Sequence, residues 1–266
     1  MLHLSAGLTA YILTLTALLG LVMGSFQNCA AWRLAHGESP AKGRSHCVLC
    51  GHTLAAGDLI PIVSYIVLRG RCRYCGEAIS PRYPAAELVS LLAFLGIVLR
   101  YDVTWEALRL LVLCCLLLAA ALVDLEVRRI PDRLLLAAVV WYAVTLPLVS
   151  GDFFSALWAG VRGGLLIALP LLVFVLIADR VMGRESMGGG DIKLFFAVGL
   201  YLGAMLNLLN LIMSCILGLV FGMLTRAAAP GRQSRAIPFG PAIAAGTWLT
   251  LLFGDAVLRW YLSLFF

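Results

Sequence analysis

Long apolar stretches alternate with short polar ones along the whole chain, at about 4–31, 84–99, 105–123, 134–150, 154–178, 191–206, 208–225 and 238–262. None shows the every-second-residue alternation of a half-buried strand, and most are too long for one. Crossing a bilayer as a helix takes roughly 20 residues, which several of these runs reach only with their flanks included. The pattern predicts eight helices. The break near Asn207 is the weakest, and a continuous helix there would leave seven. Only a few neutral residues precede the first run and no Ala-x-Ala-like site follows it, so it is expected to be a retained span rather than a cleaved signal.

Composition agrees with that class. Of the 266 residues, 62% are apolar and 13% charged, with a mean hydropathy of +0.98. A soluble domain carries about 25% charge. The expected fold is therefore an all-α polytopic membrane protein. With the amino terminus outside, the inner loops collect Arg33, Lys42, Arg44, Arg69, Arg71, Arg73 and Arg82. They also collect Arg128, Arg129 and Arg133, then Arg180, Arg184 and Lys193, then Arg226, Arg232 and Arg235. Only Arg100, Arg109, Arg162 and Arg259 fall elsewhere. This bias supports eight spans with both termini outside. It also accounts for the net charge of +6 through topology and anionic lipid, and no nucleic-acid motif accompanies it.

One sizeable polar insert interrupts the pattern. It gives the expected division: a first transmembrane segment at 1–32, an insert at 33–83, and a seven-helix membrane region at 84–266. The insert holds Cys47-x-x-Cys50 and Cys72-x-x-Cys75. Two such pairs suit one tetrahedral zinc ion, although a redox dithiol or another metal uses the same spacing. A segment of about 50 residues builds little core, so a structural metal would compensate. His46 and His52 flank the first pair but are surplus to four thiolates. Arg44, Arg71 and Arg73 could offset the formal charge of such a centre. The stretch 59–68 is too short and interrupted to span, and reads as a strand, a short helix or an interfacial segment. Cys29, Cys114, Cys115 and Cys215 lie in apolar runs and read as small hydrophobes.

Carboxylates at the edge of a span are costly and point to function. Asp124 ends the third apolar run and Asp191 opens the sixth, after Gly188-Gly189-Gly190. The topology puts both at the inner membrane face. Brought together, two carboxylates cannot both ionise cheaply, so one would serve as acid and the other as base toward water. The plainer alternatives are an interfacial anchor for Asp124 and a helix cap for Asp191. The triple glycine lacks the Gly-Lys-Ser/Thr ending of a phosphate loop. Asp132 after Pro131 reads as a helix start. Glu126 reads as surface or as support for Asp124, and Asp179 with Arg180 as the end of a span. Arg162 is expected either to snorkel outward or to pair with a carboxylate. Glu87 is a further partly buried acid.

These pieces occur in a telling order. They begin with Gly24-Ser25-Phe26-Gln27-Asn28, Arg44-Ser45-His46-Cys47 with Cys50, and Asp58, Ile60, Pro61 and Ser64. Arg71-Cys72-Arg73 with Cys75-Gly76 and Arg82-Tyr83-Pro84 with Glu87 come next. Asp124 with Ile130-Pro131-Asp132, then Met187-Gly188-Gly189-Gly190-Asp191-Ile192-Lys193 and Ile237-Pro238-Phe239-Gly240-Pro241, complete the set. Over nearly its full length the chain resembles the bacterial type IV prepilin peptidases, including those of type II secretion. Two departures are Gln27, where an aliphatic residue is usual, and the basic Val127-Arg128-Arg129.

The resemblance implies a GxGD-type membrane aspartic peptidase with Asp124 and Asp191 as catalytic aspartates. It implies cleavage of a basic leader after glycine on the cytoplasmic side of the bacterial inner membrane. The expected substrates are type IV prepilins or type II secretion pseudopilins. It further implies N-methylation of the new terminus, usually phenylalanine, with S-adenosylmethionine as donor. That step needs a neutral amine, and Glu87 or another nearby acid is the candidate to assist its deprotonation. The insert would be the zinc-bearing cytoplasmic domain, with Cys47, Cys50, Cys72 and Cys75 as ligands. The competing readings are a peptidase without transferase activity and a zinc-containing scaffold or transporter subunit.

Overall fold

The computed structural model describes residues 5–40, 43–183, 186–228 and 238–264. Lys42, Arg184, Arg232, Arg235 and Ile237, used in the topology and motif readings, lie outside the described residues, as does the Arg226 side chain. The chain forms two compact units, Met1–Leu122 and Val123–Phe266. The described residues contain helices and two isolated β-bridges but no strand.

In the first unit, α1 (Ala6–Ala35) packs on α3 (Arg82–Tyr101), and most of α4 (Trp105–Val127) completes it. A Cβ on Gly20 would lie 2.9 Å from the Leu91 Cα, and one on Gly24 would lie 2.7 Å from the Glu87 Cα. Lipid supplies no hydrophobic drive between helices, so the gain comes from backbones approaching this closely. Between α1 and α3 the insert forms two knuckles and the short helix α2 (Val63–Val67). A short helix was among the readings for that stretch. Ile60, Val63, Ile66 and Val67 are exposed there, as suits an interfacial segment.

The second unit holds the end of α4, then α5 (Asp132–Val149), α6 (Phe153–Met182), α7 (Gly189–Ala228) and α8 (Gly240–Leu262). Gly163 and Gly164 on α6 meet Gly199, Gly203 and Phe196 on α7. Seven helices are long and apolar enough to cross a membrane among the described residues. One of them is two spans in one. Gly203 sits at φ 71°, ψ 179° inside α7, backbone that essentially only glycine adopts. The Asn207 Nδ2 donates to the Phe195 carbonyl at 3.1 Å, whereas 12 residues of straight helix would put them about 18 Å apart. The chain therefore doubles back at Gly203. The expected break exists, four residues before Asn207.

Candidate active site and metal centre

Asp124 lies in the last turn of α4 and is 5% exposed. Its Oδ2 accepts the backbone N–H of Gly240, at 2.8 Å, in the first turn of α8. A Cβ on residue 240 would itself lie 2.8 Å from that oxygen, so glycine is what permits the approach. Pro241 follows in the first turn of α8, where it suits helix initiation.

Asp191 stands in the first turn of α7, half-buried. Its backbone N–H donates to the Gly188 carbonyl at 3.1 Å. A Cβ on Gly190 would lie 3.2 Å from the Ile130 Cβ, so the glycine loop rests on the segment that follows Asp124. Two residues further, the Lys193 Nζ pairs with the Asp132 Oδ1 at 2.7 Å. These contacts draw the segments that carry Asp124 and Asp191, 67 positions apart in sequence, into one compact unit. Asp132 is thus half of an ion pair as well as a helix start. Asp179 closes the loop after α6 by accepting from the Ser186 N–H and hydroxyl, each at 2.6 Å. Glu126 and Arg162 are exposed.

In the insert, the four sulfurs of Cys47, Cys50, Cys72 and Cys75 lie within 4.8 Å of one another. The two knuckles are built alike. The Cys47 N–H donates to the His52 carbonyl and the Gly51 N–H to the Cys47 carbonyl; Cys72 with Glu77, and Gly76 with Cys72, repeat this at 2.8–2.9 Å. Gly51 and Gly76 both take positive φ, 71° and 74°, the turn that points both thiols of a knuckle inward. As thiols the set cannot all ionise. The Cys50 N–H outweighs burial and draws Cys47 down to about 7. The Glu77 N–H favours a Cys75 thiolate, yet burial and the hydrogen bonds among the four thiols push Cys75 up to about 12. A divalent cation reverses that opposition, and the donor set fits zinc.

His46 and His52 stand apart from the ligand set. The His52 ring lies 3.7 Å from Tyr74 and His46 is edge-on to Trp32. The Arg73 guanidinium is engaged by Asp58 at 2.7 Å. Arg33, read from sequence only as an inner-loop charge, is buried and donates to the Pro40 and Arg44 carbonyls. No pattern in the sequence singles it out for tying the start of the insert to α1.

Glu87 is buried on α3, and its Oε2 accepts the Ile62 N–H at 2.7 Å. Ile62 takes φ 61°, ψ −49°, and the Val63 N–H reaches back to the Pro61 carbonyl at 2.6 Å. This is a γ-turn of the rare positive-φ kind. For a β-branched residue such backbone costs about 1–3 kcal/mol.

Residues 18–101 match the model of the bacterial peptidase A24 N-terminal domain, and residues 111–223 match the type IV leader peptidase family. The chain belongs to this family. It is 33% identical to a prepilin leader peptidase/N-methyltransferase of Aeromonas salmonicida, over 99% of this chain and 98% of that one. The enzyme of the same name from Bacillus subtilis is also 33% identical, over 95% and 99%. That from Pseudomonas aeruginosa is 32% identical, over 98% and 97%. No solved structure gives a significant match. The two family models fall either side of a gap at 102–110. The cysteine knuckles lie under the first, and Asp124 and Asp191 under the second.

Proposed function

We infer that this chain removes the leader of type IV prepilins or pseudopilins and then N-methylates the new amino terminus. The observation that carries the peptidase reading is that Asp124 and Asp191, far apart in sequence, fall in one compact unit in which Gly190, next to Asp191, rests on Ile130, six residues after Asp124. Two carboxylates brought close favour one carboxylate and one carboxylic acid. The carboxylate takes a proton from water as it attacks the scissile carbonyl. The acid hydrogen-bonds the carbonyl oxygen and later protonates the leaving amine. The Gly240 N–H fixes one oxygen of Asp124, and an exposed Lys193–Asp132 ion pair links the start of α7 to the start of α5.

A helical, apolar pilin terminus would approach through lipid with its basic leader in the inner aqueous layer. The positive-inside pattern supports reading that layer as the cytoplasmic side of the inner membrane. The domains would be a first span at 1–32, a zinc-bearing insert at 33–83 and the peptidase region at 84–266. Cys47, Cys50, Cys72 and Cys75 would hold zinc as a structural ion, leaving no open position for water. S-adenosylmethionine, when bound, supplies an electrophilic methyl group.

The test is reconstitution in membranes with a prepilin peptide and S-adenosylmethionine, followed by mass analysis. The expected products are cleavage after the leader glycine and one added methyl group on the new terminus. Cleavage with no methyl group would reduce the activity to that of a peptidase. Absence of both products would overturn the reading.

A further inference from the structure

The first unit buries more polar chemistry than its packing uses. Gln27 on α1 is 3% exposed and Ser90 on α3 is 2% exposed. Both amide atoms of Gln27 and the Ser90 hydroxyl oxygen are buried without a hydrogen-bond partner. The Cys115 thiol, a weak hydrogen-bonding group, lies alongside Gln27. Glu87, one turn before Ser90, commits Oε2 to Ile62, and no ion pair to it is found among the described residues. The three residues share one crossing. A Cβ on Gly24 would touch both the Glu87 Cα and the Ser90 Cβ, and Gln27 is one turn beyond Gly24 on α1. By contrast, Asn28 beside it is satisfied, donating to the Gly24 and Tyr83 carbonyls.

Buried polar atoms left unpaired destabilise a fold, and where they persist they mark a ligand or a function. The set left for a ligand is three acceptor oxygens, Glu87 Oε1, Gln27 Oε1 and Ser90 Oγ, while the Gln27 Nε2 has the weak Cys115 thiol beside it. A primary ammonium offers three N–H donors, and the carbonyl of the same amino-terminal residue offers an acceptor. We propose that Gln27, Glu87 and Ser90 form a binding site for the primary amine that accepts the methyl group. This rests on the transferase reading above.

An ammonium has no lone pair and cannot attack. In the site it passes one proton to Glu87 Oε1. The freed nitrogen pair then forms the N–CH3 bond as the carbon–sulfur bond of the sulfonium donor breaks, its electrons passing to sulfur to leave a thioether. The strained turn at Ile62 holds Glu87 by one oxygen and leaves the other for the amine. A leucine at position 27 would pack there without unsatisfied polar atoms.

That trade sets the test. Full-length protein in nanodiscs is titrated, without methyl donor, with a leaderless pilin peptide bearing either a free or an acetylated amino terminus. Wild type should bind the free amine at least tenfold more tightly. Gln27→Leu should raise Tm while cutting that preference about three- to tenfold, and Glu87→Gln should abolish it. A structural Gln27 would lower Tm when replaced, and that result, or an unchanged preference, overturns the proposal. S-adenosylhomocysteine, titrated in parallel, should bind all variants alike. Loss of its binding instead, with amine preference intact, would assign the site to the amino group of the methyl donor and overturn the peptide assignment. If Glu87→Gln does not fold, Gln27→Leu decides alone. Wild type that shows the amine preference but neither cleaves nor methylates would sink the functional reading and not the site.

Discussion

The Asp124 carboxylate is held by the backbone N–H of Gly240, 116 residues later and 2.8 Å away. A side chain oriented by that backbone group, here the proposed catalytic Asp124, cannot be moved without moving α8. The same closeness leaves no room for a Cβ at position 240. Gly240→Ala should therefore slow cleavage by roughly 10²-fold, the cost of about 1 Å of misplacement at a reacting group. Near-normal kcat/KM on a prepilin peptide, with the protein folded, would show that this hydrogen bond does not position the acid.

Asp124→Asn and Asp191→Asn each remove one member of the acid–base pair while keeping its shape. Each should lower the cleavage rate by at least about 10²–10⁴-fold, with elution and thermal unfolding unchanged. Mass analysis of the peptide products reads it. A folded variant that cleaves normally removes that aspartate from the mechanism.

Cysteine-to-serine replacement of either pair should take zinc content below stoichiometric and open 43–79 to proteolysis. Acidification should do the same, because protons compete with zinc for thiolates. Cys47 already lies at about 7 as a thiol, whereas Cys75 stands at about 12 and needs the ion to ionise at neutral pH. Zinc uptake should therefore release protons, measurable by titration in weak buffer. Stoichiometric zinc with both pairs removed would exclude the four-thiolate centre.

Asp58 sits between the knuckles. Burial disfavours its charge, but the Arg73 guanidinium, the Ala55 N–H and the Tyr74 hydroxyl outweigh it and hold the carboxyl below its ordinary value of 3.8. A carboxylate lowered on folding stabilises the fold fully above that value, and the contribution fades as pH falls through the lowered one. Asp58→Asn should cost about 1 kcal/mol at neutral pH, since half-exposed Arg73 is well screened. The difference from wild type should vanish in acid. A pH-independent difference in unfolding would refute the ionic account.

Gly203→Ala forces a side chain into backbone at φ 71°, ψ 179°. It should cost about 1–3 kcal/mol or more and disturb the reversal that carries Asp191 on its short first half. Gly7→Ala, whose added carbon meets nothing within 4 Å, is the control expected to be neutral. Equal melting temperatures for the two would argue against a strained reversal.

The cysteine knuckles were legible in the sequence because CxxC-Gly is a local unit: two ligands and the positive-φ turn that aims them lie within five residues. The aspartates were legible as isolated charges at span edges, but their partners were not. Nothing in a run of glycines and prolines at 237–241 tells that Gly240 will donate to Asp124. The reversal in α7 was misplaced by four residues, because apolar residues continue through it and only the backbone at Gly203 records the turn.

The sequence by itself determined what must face lipid, which side carries the basic loops, and which residues can bind metal or move protons. Those follow from transfer free energies and side-chain chemistry, which are local. Tertiary structure alone decided which groups meet: Asp124 with Gly240, Gly190 with Ile130, Glu87 with Ile62, and Gln27 with Cys115, leaving the Ser90 hydroxyl buried without a partner among the described residues. Such meetings depend on how closely helices approach, and that is set by glycines whose role appears only once another backbone lies against them.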